Sequence, residues 1–186
     1  FMLGSPVMPG SAIDQALEQK TNDLKRAISR LSTLQAHDAL VLLRISLSIP
    51  KLMYTLRTAS CHDSSRLTEF DNALKEGLSS LLNVNLSEDQ WNQASLPVRD
   101  GGLGIRSAAS LATSAFLASA ARTNDLQSLI LPQAVSMIHE EVVEKTLQTW
   151  VMQSGASAPE DVEAYSQKAW DSKCIRLIKD NLMLHS

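Results

Sequence analysis

Aromatic and β-branched residues are scarce in this sequence. Phe, Trp and Tyr together make up 4% of the 186 residues, while Leu, Ala and Ser are abundant. Strands are built mainly from β-branched and aromatic residues, whereas Leu and Ala favour helices. A sheet-rich fold is therefore excluded, and the composition predicts helices throughout. A hydrophobic content of 44% in a chain of this length suits a folded protein with a substantial core.

Cysteine and long apolar runs are also lacking. The two cysteines, Cys61 and Cys174, lie far apart in sequence, which rules out a disulfide framework and favours a reduced compartment. No uninterrupted apolar run approaches the roughly 18 residues that span a bilayer, and the first residues have no basic segment of a signal peptide. We expect an intracellular chain, nuclear or cytoplasmic, that is neither secreted nor bound to a membrane. Because it begins with Phe1, we also expect it to be part of a longer sequence.

An excess of positive charge is missing from the chain as a whole. The net charge of −3 argues against an isolated, high-affinity nucleic-acid binder, because phosphate neutralisation needs clustered Lys and Arg. The charge is unevenly distributed, however. Residues 1–68 hold eight Lys or Arg against five Asp or Glu, a net +3, and residues 69–186 hold nine against fifteen, a net −6. Any surface that faces a polyanion is therefore expected in the first third.

The common catalytic motifs are absent. The sequence has no Walker-type glycine loop, no GxSxG elbow, no HExxH pair and no CxxC pair. Three glycines within residues 101–104 lack the spacing of a dinucleotide fingerprint, so they predict a tight turn. Cys61-His62-Asp63 has no second ligand pair for zinc, which favours a polar turn between helices over a metal site. Neighbouring acids at 140–141 and 160–161 fall in or at the start of predicted helices, so no residue is assigned a catalytic, cofactor-binding or metal-binding role.

Helical periodicity is the strongest positive signal. Apolar residues recur every three or four positions, which is typical of helices with one buried face. This spacing predicts helices at 12–34, at 36–57 with a break or kink at Pro50, from 67 to Asn83, from Ser87 through a capping box with Gln90, at 108–122, at 124–131, from 135 to Gly155, and from about 160. The three tryptophans fall within these apolar patterns and are expected in the core. The predicted fold is an all-α, irregular bundle of about seven to eight helices with a Gly-rich loop at 99–106.

A set of basic residues forms the main candidate site. His37, Arg44 and Lys51 recur at seven-residue spacing, which aligns them on one helix face if Pro50 only bends the helix. Arg26 and Arg30 form an i, i+4 pair on the preceding helix. Such a stripe suits a phosphate backbone, and a solvated charged face is the alternative.

Several segments resemble the region downstream of the polymerase domain in non-LTR (LINE-type) retrotransposon reverse transcriptases. The resemblance is carried by residues 91–99 (WNQASLPVR) and 101–108 (GGLGIRSA). Residues 1–7 (FMLGSPV) are similar to the segment that closes the palm near the primer grip. Residues 37–40 (HDAL) and 48–57 (SIPKLMYTLR) are similar to the helical thumb that follows. The matching segments span about residues 1–120 in the family's order.

This resemblance implies a part of an enzyme rather than an enzyme. The family's catalytic aspartates, with the Mg²⁺ that they hold, would lie in a palm before Phe1, and no (F/Y)-x-D-D motif occurs here. The implied division is the end of that missing palm at 1–11, a thumb-like bundle at 12–94, the Gly-rich loop and post-thumb helices at 95–155, and a C-terminal helix at 156–186. The thumb holds an RNA–DNA template–primer duplex by its backbone. The resemblance therefore implies weak duplex binding by five residues: Arg26, Arg30, Arg44, Lys51 and Arg57.

Two other interpretations of the sequence stay open. A helical protein-interaction module derived from a retroelement would bind a protein partner through the acidic part of the chain, without nucleic acid. An independent helical enzyme with an unrecognised site is the third interpretation, and the inventory of motifs disfavours it. The sequence does not indicate an oligomeric state.

Overall fold

Helices make up all the regular structure that is described. The computed structural model describes residues 10–130 and 132–184, and within these ranges every regular element is a helix. The α-helices are α1 (Ser11–Leu31), α2 (Ala36–Leu42), α3 (Ile49–Thr58), α4 (Ser65–Leu82), α5 (Glu88–Ser95), α6 (Ala108–Ile130), α7 (Gln133–Ser154) and α8 (Gln167–Leu184). A π-helical turn joins α2 to α3, and 3₁₀ turns precede α6 and α8. The predicted all-α bundle of about seven to eight helices is confirmed; the predicted end of a palm, residues 1–11, lies mostly outside the described residues.

Three helix ends fall where local chemistry predicts them. Asn83 adopts the left-handed conformation (φ 53°) that ends α4, and Gly155 does the same after α7 (φ 61°). The side chain of Ser87 accepts from the backbone N–H of Gln90, and the Gln90 side chain accepts from the N–H of Ser87. This reciprocal capping box begins α5, as its spacing indicates.

The long apolar segment at 36–58 is two helices rather than one bent helix. A π-helical turn, Leu43–Leu47, ends at buried Ser48, whose backbone (φ −94°, ψ −122°) is not helical. Pro50 then lies in the first turn of α3, where its missing N–H costs no hydrogen bond. Length and hydropathy alone would let this segment cross a membrane, with 39% of its apolar window buried in the fold. Leu43, for example, is 0% exposed in the core of the bundle.

Two hydrophobic cores share helix α6. The larger core joins α1 through α5 to the first half of α6, with α1 packed on α4 and α3 packed on α6. The smaller core joins the middle of α6 to α7 and α8, and its centre is an edge-to-face pair of Trp150 and Trp170 with ring centroids 4.8 Å apart. Both tryptophans are buried, as is Trp91, which confirms the expectation that all three are core residues.

The second half of the chain departs from the predicted helix boundaries. The sequence pattern ends α6 near residue 122, but the helix continues to Ile130 because nothing in the polar stretch after Arg122 breaks it. The same pattern starts the last helix at about residue 160. Instead, Asp161 has a positive φ of 50° and opens a 3₁₀ turn, so α8 begins at Gln167. In consequence Val162 is 76% exposed rather than packed in an apolar face.

A buried carboxylate from α4 caps α6. Both oxygens of Asp71 accept hydrogen bonds: from the hydroxyl of Ser107 (2.7 Å) and from the backbone N–H groups of Ala108 (2.6 Å) and Ala109 (3.0 Å). Burial raises the pKa of Asp71, while these three hydrogen bonds act in the opposite direction and lower it. Asp71 therefore fixes the start of α6 against α4, in addition to the local cap in which the hydroxyl of Ser107 accepts from the backbone N–H of Ser110 (3.1 Å).

Replacing Asp71 with Ala is expected to lower the free energy of unfolding by about 3 kcal/mol, because three buried donors lose their acceptor. Urea denaturation followed by tryptophan fluorescence measures this change. Glu76→Ala, at an exposed position of the same helix, serves as the control and is expected to change stability by about 0.5 kcal/mol or less. Equal effects of the two substitutions would contradict the capping role of Asp71.

Candidate nucleic-acid interface

Two predicted phosphate contacts lie on the solvent face of α1. Its apolar stripe faces α4, which leaves Arg26 and Arg30 exposed on the other side. The Arg26 side chain is 63% exposed, with its Nη2 3.6 Å from a carboxylate oxygen of Asp23. Arg30 makes no ion pair with any residue in the described ranges. A pair this exposed is worth little in water, so both guanidinium groups are accessible to a polyanion.

Arg44 is positioned by the Gly-rich loop. It lies in the π-helical turn and is half-buried. A Cβ built on Gly104 would lie 3.0 Å from Cδ of Arg44 and 3.6 Å from Cγ, so the aliphatic stem of Arg44 rests on bare backbone. Gly104 also has a positive φ of 73°, so two constraints require glycine there. The guanidinium has no carboxylate partner among residues 10–130 and 132–184.

The loop itself is folded back on the end of α5. Backbone N–H groups of Gly102, Leu103 and Gly104 donate to carbonyls of Pro97 (3.2 Å), Ala94 (3.0 Å) and Leu96 (2.9 Å), respectively. These bonds satisfy carbonyl groups that a helix end leaves free. The glycine cluster is therefore a tight structural turn, as predicted, which holds the stem of Arg44.

The two basic residues of α3 differ in their surroundings. Lys51 is exposed in the first turn and has no ion-pair partner within the described part of the chain. Arg57, in the last turn, donates from Nε (3.2 Å) and Nη2 (2.9 Å) to the Oε1 atom of Gln167 in α8. Because that acceptor is neutral, Arg57 keeps its charge uncompensated while it ties α3 to α8.

The single basic stripe predicted from seven-residue spacing is wrong. That alignment required one continuous helix, but the helix is interrupted at Ser48, between Arg44 and Lys51. His37 remains exposed on α2. Arg44 and Lys51 therefore lie on separate elements, the π-helical turn and α3, instead of on one helix face with His37. Arg26 and Arg30 lie on the preceding helix, α1.

Unneutralised cations are concentrated in the first third of the described chain. In residues 69–184, six Lys or Arg side chains form ion pairs: Lys75, Arg99, Arg106, Lys145, Arg176 and Lys179. In residues 10–68 only Arg26 and Arg66 do so. Lys20 and Lys25 of α1 join the cations that lack a carboxylate partner in these ranges, and the spacing argument missed them. The signal that would have found them is the local excess of basic over acidic residues.

The segment 61–63 is a turn between α3 and α4, as the favoured interpretation predicted, and it is hydrogen-bonded to α7. His62 lies 3.1 Å (Nδ1) from the hydroxyl of Ser60 and 3.3 Å (Nε2) from that of Thr149. Burial of Cys61, with a smaller contribution from the charge of Asp63, raises the pKa of its thiol to about 12. The thiol is thus neutral and unreactive at physiological pH. Within the described ranges, no three His, Cys, Asp or Glu side chains are grouped to hold a metal ion.

Comparison of the chain with protein-family models, with curated proteins and with solved structures finds no match to any of them.

Proposed function

We propose that this chain is a non-catalytic, thumb-like nucleic-acid-binding region of the reverse transcriptase type found in non-LTR retrotransposons. The observation that carries the proposal is the distribution of unpaired charge. Arg30, Arg44 and Lys51 have no carboxylate partner in the described part of the chain. Four cations beyond residue 68, in contrast, form ion pairs in which at least one side chain is 20% exposed or less: Lys75, Arg99, Arg106 and Lys179. A cation that no carboxylate neutralises is available to a phosphate and can displace its condensed counterions.

The ligand that suits this surface is a duplex contacted through its backbone. One exposed aromatic side chain, Tyr54 of α3 (45% exposed), lies beside these cations. Single-strand binders instead stack successive bases on several aromatic rings. Phosphate contacts hold a duplex irrespective of its sequence, which is what a polymerase thumb requires. The template–primer duplex of RNA and DNA is therefore the proposed partner. The affinity is expected to be weak because the contacts are few and the net charge is −3.

The test compares two double variants that change the net charge equally. Arg44→Gln/Lys51→Gln removes two proposed contacts, and Lys168→Gln/Lys173→Gln removes two exposed cations of α8. Binding to a labelled RNA–DNA duplex is measured at several salt concentrations. The first double variant is expected to reduce the slope of log K against log salt by about 2, one for each lost phosphate contact. The second is expected to leave the slope unchanged, and equal slopes for both variants would contradict the proposal.

A second candidate function is a protein-interaction module. It is favoured by apolar side chains exposed around the connection between α6 and α7, including Leu129 (84% exposed), Ile130 (68%), Met137 (63%) and Ile138 (64%). A cluster of this kind marks interaction sites in many soluble proteins. The absence of duplex binding even at low salt would favour this alternative over a thumb.

A further inference from the structure

A cleft opens between α6 and α7, and α8 with its preceding 3₁₀ turn closes one end. Its volume is about 340 Å³. Ala120 and Ala121 of α6 line one side, and their short side chains leave space that Leu147 and Trp170 only partly fill. Clefts of roughly 300–1,000 Å³ with apolar walls and a few polar groups are typical of small-molecule sites.

One polar group in this cleft is buried without a partner. The ring of His139 lines the cleft and packs at 6.3 Å, edge to face, against Phe116. Its Nε2 atom is buried, yet it has no hydrogen-bond partner among the described residues. Because Nε2 is shielded from solvent, it is not offered to the open space of the cleft, and His139 contributes its ring to the lining of this cleft and of the neighbouring cavity.

The rim of the cleft is acidic and aromatic. The carboxylate of Asp125 lines the rim without an ion pair to any cation that the structure describes. Tyr165, 46% exposed, lies on the rim as well. A carboxylate attracts a cation, and the face of a tyrosine ring adds a cation–π attraction. An anion would instead meet Asp125 and the net charge of −6 that residues 69–186 carry.

We propose that this cleft binds a small organic cation with a flat apolar body. The body occupies the space beside Ala120 and Ala121, next to the ring of His139, and its positive group pairs with Asp125. This site is separate from the proposed duplex surface, and it does not depend on nucleic-acid binding.

The test uses three probes of similar size and different charge: benzamidine (cationic), benzyl alcohol (neutral) and benzoate (anionic). Each is titrated into the full chain and followed by NMR shifts of the Trp170 indole and the Tyr165 ring. Benzamidine is expected to bind about tenfold more tightly than benzyl alcohol, a ratio equivalent to one close charge contact, and benzoate is expected to bind most weakly. Equal affinities for the three probes would overturn the proposal.

Two variants and a control locate the site. Asp125→Asn is expected to remove the preference for benzamidine, and Asp38→Asn, an exposed residue of α2, is expected to preserve it. Ala121→Leu fills the cleft and is expected to abolish binding while raising Tm, because added apolar contacts replace open space. Binding that survives Ala121→Leu, or probe-induced shifts confined to Phe116 and Ile13 of the neighbouring cavity, would place the probe elsewhere and refute the assignment.

Discussion

Replacing either member of the Arg106–Asp171 pair with Ala is expected to lower the free energy of unfolding by about 3–5 kcal/mol. Nη1 and Nη2 of Arg106 each donate to one carboxylate oxygen of Asp171 at 2.7 Å. The side chains are only 19% and 12% exposed. Removing one partner leaves a nearly buried charge without compensation, which costs far more than the pair contributes net. Nε of Arg106 has no acceptor in the described residues. Without Asp171, the guanidinium would therefore also lose the acceptors of Nη1 and Nη2.

A double-mutant cycle separates the interaction energy of Arg106 and Asp171 from the cost of leaving one of the two charges unpaired. The double variant Arg106→Ala/Asp171→Ala removes both charges at once, and its loss of stability is expected to be smaller than the sum of the two single losses by about 2 kcal/mol or more. Urea denaturation of the four proteins, followed through the fluorescence of the neighbouring Trp150 and Trp170, gives the coupling. Additive losses would mean that the two side chains act independently, contrary to the geometry.

The second large effect is expected at Gly102, where Ala should destabilise the fold by about 3 kcal/mol. A Cβ built on this residue would lie 2.6 Å from the carbonyl oxygen of Gln93 and closer still to that of Leu96. Both atoms belong to the backbone, so relief requires the loop to leave the end of α5. The stem of Arg44, which rests on the same loop, would then lose its support.

Gly101 offers a matched control one residue away. Its φ is 86°, but a Cβ added to this residue would have no neighbouring atom within 4 Å. Gly101→Ala is therefore expected to cost only about 1–2 kcal/mol, from the left-handed backbone alone. Thermal unfolding of both variants measures the difference. If the Gly102→Ala protein were as stable as Gly101→Ala, the loop would be able to move away from the carbonyl groups of Gln93 and Leu96 at little cost, contrary to the expected result.

Features of this fold that depend on neighbouring residues could be predicted from the sequence. Features that depend on contacts between distant segments could not. Apolar periodicity predicted the helices, and the pair Ser87–Gln90 together with Asn83 and Gly155 predicted helix ends, because caps depend on neighbouring residues. The interruption at Ser48 was assigned to Pro50, since nothing local distinguishes a π-helical turn from an α-helix. The start of α8 depends on the positive φ of Asp161, which is uncommon for a residue other than glycine.

The candidate interface could likewise be predicted from the sequence only in part. The excess of basic residues before residue 69 is a property of the sequence, but which cations are neutralised depends on contacts between distant segments. Arg106 meets Asp171 across 65 residues, and Lys179 meets Asp100 across 79. Sequence spacing therefore suggested that His37, Arg44 and Lys51 share one helix face, while in the folded chain they lie on α2, the π-helical turn and α3. The close packing of the Arg44 side chain on Gly104 could not be predicted from residue spacing either.

The central claim is that the first third of this chain binds a duplex through its phosphates. The most direct measurement is the affinity of the purified chain for a labelled RNA–DNA duplex between about 50 and 200 mM salt. If Arg30, Arg44 and Lys51 each release a counterion, the slope of log K against log salt should be about −2.7 or steeper. An affinity that does not change with salt, or no binding at the lowest salt concentration, would contradict the account.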